Sequence, residues 1–368
     1  MSAMRVTATN LFLSGLLGIG LVAATPSVAQ QRSFELPWAP TVDRFYVTRG
    51  EQLLWLRDGE AIDLLLETLE RGSLDGLSTG PQLALSARAA LERARSGAPA
   101  DAAEAERLLS AAWVLYVQAL ARPVDGVIFA DPKLKPAVPT ATAILTEAAA
   151  APVLAEHVRR VSARNPIYAA LREAAWRDLS FLGEPTRRMR TNLDRARILP
   201  ATGRAVVVDL ASQRLFMMQD GTPVDEMRVI VGKPDMATPL MAGTVTAMTF
   251  NPYWNVPVDL AQKNIAPNVL RSGVGWLEQK GYEVLASWND PAEVIDPATF
   301  DWKAVAAGKA EVRVRQKPGH HNMMGGLKIA FPNELGIYLH DTPDRALFEQ
   351  SRRTFSSGCV RLEDAKRL

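Results

Sequence analysis

Cys359 is the only cysteine of the 368-residue chain, and His340 is one of its four histidines. Together they define one chemistry. A thiol is nucleophilic as thiolate, and a nearby imidazole eases that ionisation while serving as general base and acid. The two stand nineteen positions apart, so a fold must join them. Cys359 follows Ser356-Ser357-Gly358, a turn-forming triplet whose glycine lets the backbone approach a ligand. The N–H groups of Gly358 and Cys359 would then face a developing oxyanion. Arg361, two positions on, has the planar fork that holds a carboxylate. His340 closes an apolar run that reads as a strand, and alternation puts Tyr338 on its face, either beside the reacting centre or as a core tyrosine. The second imidazole nitrogen needs an orienting acceptor, which the main chain or the side chain of Asp341 supplies. Against this stands the plainer alternative that a free cysteine is a small buried hydrophobe and a strand histidine a structural residue.

The motifs around the pair decide between the two. His340-Asp341-Thr342-Pro343 and Ser356-Ser-Gly-Cys-Val-Arg-Leu362 resemble the active-site signature of the L,D-transpeptidases with a YkuD-type catalytic domain, enzymes that remodel bacterial peptidoglycan. Asn251–Pro257 (N-P-Y-W-N-V-P), Arg315–Gly319 (R-Q-K-P-G), Asn322 and Phe331–Asn333 (F-P-N) are similar to the large YcbB-like Gram-negative branch, which carries an N-terminal scaffold domain. The stretches Tyr116–Gly126 and Asn165–Arg172 are similar to that scaffold. The resemblance implies a cysteine acyltransferase acting on a tetrapeptide stem. The thiolate is acylated with release of D-Ala, and the acyl group passes to the third-residue side-chain amine of another stem, a 3→3 cross-link. It implies a further orienting or oxyanion group from Ser357 and substrate contacts from Arg361, Asn322, Ser356 and Trp254. Ser357 stands where many members carry a second histidine, which leaves the base role to His340. Carbapenem-type β-lactams are the expected inhibitors.

The rest of the chain sets the context. Lys plus Arg exceed Asp plus Glu by 42 to 40, a near balance that does not imply a nucleic-acid partner. Arg5, the apolar stretch Leu11–Ala24 and Ser27-Val28-Ala29 form the pattern of a cleavable signal peptide over residues 1–29, which directs the chain to the periplasm; an uncleaved anchor is the lesser alternative. Export favours paired cysteines. A single one excludes an intrachain disulfide and fits a thiol kept for reactivity.

The fold class expected is α+β: an all-helical scaffold domain followed by a mostly β, sandwich-like catalytic domain with a partly helical capping insertion. Residues 30–44 form a Pro-containing lead-in, and 45–182 carry helical periodicity, with Asp101 as an N-cap for a helix over 103–121. Residues 183–202 form a helical linker whose arginines from Arg187 to Arg197 read as a solvated face. From 203 to 368 the period becomes strand-like, and Asp220-Gly221 is the strongest hairpin turn. Within it, 251–310 is the insertion, crowded with tryptophans.

His157 reads as a surface residue. The adjacent His320 and His321 would diverge in a strand, and nothing completes a zinc site, so neither metal nor cofactor is expected. No phosphate-binding loop is present, and no protein partner is legible. Two other functions compete: a hydrolase on the same site (L,D-carboxypeptidase, or an amidase releasing wall-linked protein), and a non-catalytic wall-binding scaffold.

Overall fold

The computed structural model describes residues 38–289 and 291–368; the signal peptide and most of the lead-in expected from the sequence lie outside the described residues. The helical half begins earlier than its periodicity suggested. Helix α1 (Ala39–Thr48) starts inside the lead-in, with Pro40 in its first turn, where a missing N–H costs nothing. Then come α2 (Gly59–Glu70), α3 (Gly80–Ala94) and α4 (Pro99–Leu120). Helix α4 is capped at Ala98, with Pro99 at its first position, so Asp101 lies in the first turn and acts on the helix dipole rather than as the cap. Helices α5 (Ala141–Ala150), α6 (Leu154–Ala163), α7 (Pro166–Leu182) and α8 (Arg187–Arg197) complete the set.

Two buried carboxylates brace these helices. Glu106 of α4, 1% exposed, accepts the main-chain N–H groups of Trp55 at 2.7 Å and Leu56 at 3.0 Å and the Tyr46 hydroxyl at 2.9 Å. Asp75, in the turn after α2, pairs with Arg172 of α7 at 2.7 Å and accepts the Tyr116 hydroxyl at 3.0 Å. Breaking such a pair strands a buried charge at a cost of about 3–5 kcal/mol. Two residues read as solvated are buried. His157 is 4% exposed, edge-on to Trp113 at 5.7 Å, and Arg197 is 6% exposed, donating to the Ala119 carbonyl at 2.8 Å and pairing with Asp194 at 3.1 Å. The other arginines of α8, at 187, 188, 190 and 195, are exposed as expected.

A short strand, β1 (Ile128–Phe129), leaves the helical half and pairs in parallel with β5 (Met241–Ala242). Strands β2 (Arg204–Asp209), β3 (Arg214–Gln219) and β4 (Thr222–Gly232) form a meander. Its second turn is Asp220-Gly221 with φ of 50° and 73°, the left-handed pair a two-residue hairpin requires. With β6 (Ala247–Phe250), β10 (Leu327–Ala330), β11 (Leu339–His340), β12 (Thr354–Ser356) and β13 (Val360–Leu362), the meander makes an eight-stranded sheet. Its order is β2-β3-β4-β13-β11-β10-β6, with β12 beside β4. Leu327, Ile329, Leu339, Val360, Leu362, Val229 and Leu215 form its apolar core, and each such side chain contributes about 1.5–3 kcal/mol on burial. The class is α+β, a helical N-terminal region and a sheet-rich C-terminal one.

The insertion has its own core. Strands β7 (Trp254–Asn255), β8 (Tyr282–Leu285) and β9 (Arg313–Gln316) pair in the order β7-β9-β8. Helices α9 (Val258–Leu260), α10 (Ala266–Ser272), α11 (Gly275–Gln279) and α12 (Trp302–Ala306) accompany them, and Val256, Ile265, Val269, Val305 and Val314 pack in their midst. Two of its helical stretches, 258–272 and 297–306, are broken into pieces. The first runs through a π-turn at 261–265, and the second is a 3₁₀ turn at 297–299 followed by α12.

Candidate active site

The sheet assembles the site. Register places Thr249, Lys328, His340, Arg361 and Ile230 abreast across β6, β10, β11, β13 and β4. Side chains alternate along a strand. This row therefore projects from the face opposite Leu327, Leu339 and Val360, which pack the core. Cys359 stands one residue before β13, abreast of Tyr338. The Tyr338 carbonyl accepts the Val360 N–H at 2.9 Å, and the Tyr338 main chain lies against the sulfur. Sγ lies 3.6 Å from the Gly336 carbonyl. Strands β11 and β13 thus bring the nineteen-residue spacing down to neighbouring positions on one face.

The turn bearing Cys359 is locked by hydroxyls. Ser356, 2% exposed, donates to the Cys359 carbonyl at 2.5 Å and accepts the Gly358 N–H at 3.2 Å. Ser356 therefore braces the turn. The Gly358 N–H is used inside the turn, so the expected oxyanion donor at that position is occupied. The Gly358 carbonyl accepts the Thr238 hydroxyl at 2.7 Å. Gly358 has φ of +114°, and a Cβ there would come within 3.0 Å of Ile337 Cδ1, which explains the glycine. Ser357 is exposed at the turn's outer edge.

His340 is 5% exposed, and its Nδ1 lies 2.6 Å from the main-chain oxygen of Asp341. Of the two acceptors considered for Asp341, the carbonyl holds the ring. The Asp341 carboxylate is spent elsewhere: it accepts the Gly326 N–H at 2.8 Å and pairs with Arg345. With Nδ1–H donating to that carbonyl, Nε2 keeps its lone pair. Burial, reinforced by Arg361 and Lys328 nearby, pushes His340 down to about 4, so the imidazole rests neutral at pH 7. Burial pushes the Cys359 thiol up, opposed by the Tyr338 main chain, Lys328 and Arg361. The resting groups are a thiol and a neutral imidazole.

Arg361, 14% exposed at its side chain, pairs with Asp344 at 3.3 Å, and it is aligned with His340. Asn322 is fully buried. Its amide donates to the carbonyls of Pro252 at 2.9 Å and Lys317 at 3.0 Å, and its oxygen accepts the Met324 N–H at 2.7 Å. It pins the loop joining the insertion to β10 from a fully buried position. Trp254 is half-buried against the insertion core, its ring 6.4 Å from that of Tyr282. The rings of His320 and His321 lie 3.9 Å apart, tilted by 43°, on an exposed loop, and among the described residues no cluster of three metal-ligating side chains occurs.

Two residues escaped the sequence reading. Lys328 enters the row through strand register, which no local pattern reveals. Asn333 of the F-P-N motif bridges the Phe331 and Ile337 carbonyls at 2.8 and 2.9 Å and accepts the Ile337 N–H at 3.0 Å, aiming the segment into β11.

Comparison with known proteins matches the two regions to two domain families. Residues 203–368 match the model of the L,D-transpeptidase catalytic domain, and residues 40–174 match that of the Scaffold domain. A protein of Haemophilus influenzae named "Putative L,D-transpeptidase" is 34% identical over 183 residues. The alignment covers 50% of this chain and 36% of that relative, so the shared region is about a third of the relative's length.

Proposed function

We propose, from the premise that this chain joins a Scaffold domain to a catalytic domain of the L,D-transpeptidase family, that it is a peptidoglycan L,D-transpeptidase with Cys359 as nucleophile. The sulfur attacks the amide carbonyl between the third stem residue and D-Ala. Its proton passes to His340 Nε2, and the carbonyl electrons move to oxygen, to which the Cys359 N–H would donate. Collapse breaks the C–N bond, and the departing D-Ala amine takes the proton from His340. A side-chain amine of a second stem then attacks the thioester and regenerates the thiol, forming the 3→3 link.

One observation carries this reading: Cys359 and His340 share a sheet face, with Nδ1 of the ring anchored 2.6 Å from a carbonyl so that Nε2 is the working nitrogen. The matched domain supports stem peptides as the substrate class. The proposal includes the scaffold at 45–182, the linker at 183–202, the catalytic part at 203–368 with its insertion at 251–310, and action in the periplasm on the wall. Incubation with a disaccharide-tetrapeptide tests it. Cross-linked dimers are the expected product, tripeptide alone would mark a hydrolase, and unchanged substrate would mark a non-catalytic wall protein.

A further inference from the structure

Lys328 has no task in the acyl transfer described above, yet its position is well defined. It pairs with His340 across β10 and β11, it is half-buried, and its Nζ sits 3.7 Å from the centroid of the Tyr338 ring. The same Tyr338 is stitched to the strand after the cysteine through its carbonyl, which accepts the Val360 N–H at 2.9 Å. Among the described residues no carboxylate pairs with Lys328, whereas the other nearby cations are matched: Arg361 by Asp344 and Arg345 by Asp341. A half-buried ammonium without a counter-ion carries a desolvation cost that an aromatic face offsets only in part. Such an arrangement awaits an anion.

We propose that Lys328 is the fixed counter-charge for the Cys359 thiolate, held over the Tyr338 ring so that the sulfur gains its negative charge without an imidazolium partner. His340 rests neutral and offers no positive charge until it has taken the proton. During attack the S–H bond breaks, the proton moves to His340 Nε2, and the sulfur electron pair forms the bond to the carbonyl carbon; Lys328 keeps its own proton throughout. The groups around Cys359 are Lys328 from β10, Tyr338 just before β11 and Arg361 from β13, with His340 paired to Arg361 one step along β11, backed by Asp341 and Asp344. Of these, Lys328 alone brings a charge not already offset. It acts on the nucleophile and touches no substrate atom, which makes it a positioning residue.

The proposal rests on Cys359 as the nucleophile, and its test reads that thiol directly. Because the chain has one cysteine, carboxamidomethylation by iodoacetamide, followed by intact mass as a function of pH, reports the ionisation of Cys359 alone. Lys328→Met should move the midpoint up by roughly one pH unit and slow alkylation below it by about tenfold, while Lys328→Arg keeps the wild-type midpoint. Lys328→Gln serves if the methionine variant does not fold, as judged by its thermal transition. A folded neutral variant with an unshifted midpoint overturns the counter-charge and leaves acyl transfer standing. A shifted midpoint in a protein that makes no acyl product from tetrapeptide would retain the ion pair and remove the transpeptidase.

Discussion

His340 is oriented by the main chain of its own neighbour: Nδ1 lies 2.6 Å from the Asp341 carbonyl oxygen, while the Asp341 carboxylate faces away to Gly326 and Arg345. The ring is therefore aimed by a group that substitution cannot remove. Asp341→Asn should keep that bond and lose the Arg345 ion pair, lowering kcat for tetrapeptide turnover by less than about tenfold, in line with a modest, partly exposed pair. A loss of a thousandfold or more would mean that the carboxylate itself orients the ring.

The depressed His340 makes stability depend on acid. In the unfolded chain the imidazole titrates near 6.5, whereas in the fold it is pushed down to about 4. Between those values the unfolded state binds the additional proton, so this contribution is complete above about pH 6.5 and is lost as pH falls toward 4. The size is about 3 kcal/mol. Urea melts at pH 7.5 and 4.5 should show wild type losing more stability than His340→Gln; equal losses would place the imidazole in an ordinary environment.

The turn that carries the thiol depends on Ser356. Ser356→Ala removes the donor to the Cys359 carbonyl and the acceptor of the Gly358 N–H. The expected cost is about 1–3 kcal/mol of stability, together with a fall in kcat as the sulfur loses its fixed position. A variant with wild-type melting and turnover would show that the turn is held by Thr238 and glycine geometry alone.

The loop behind His340 is equally tight. Gly325 has φ of +63°, and a Cβ there would lie 2.5 Å from Asp341 Cγ. Gly325→Ala should destabilise the protein by about 1–3 kcal/mol through strain and collision and should reduce turnover through Asp341. Thermal melting checks the first effect and tetrapeptide kinetics the second.

Much of this was legible in the chain. The change from helical to alternating period and the Asp220-Gly221 turn are local patterns, and local patterns survive without coordinates. What could not be read was long-range polar bonding. Asn322 and Ser356 are polar and sit in motifs, and they bond main-chain groups that only the folded loop brings near. Arg197 and His157 look solvated because charge and polarity are the usual surface mark; one is buried on a helix-end carbonyl and the other against Trp113. Lys328 is an ordinary lysine in a strand until register sets it beside His340.

The most direct test of the account is the intact mass of the protein after brief incubation with disaccharide-tetrapeptide, with a carbapenem as a slowly released surrogate. Wild type should gain one acyl adduct, the stem without its terminal D-Ala or the opened β-lactam, and Cys359→Ala, folded by its melting curve, should gain none. An adduct of undiminished yield on Cys359→Ala would contradict the assignment of Cys359 as the nucleophile.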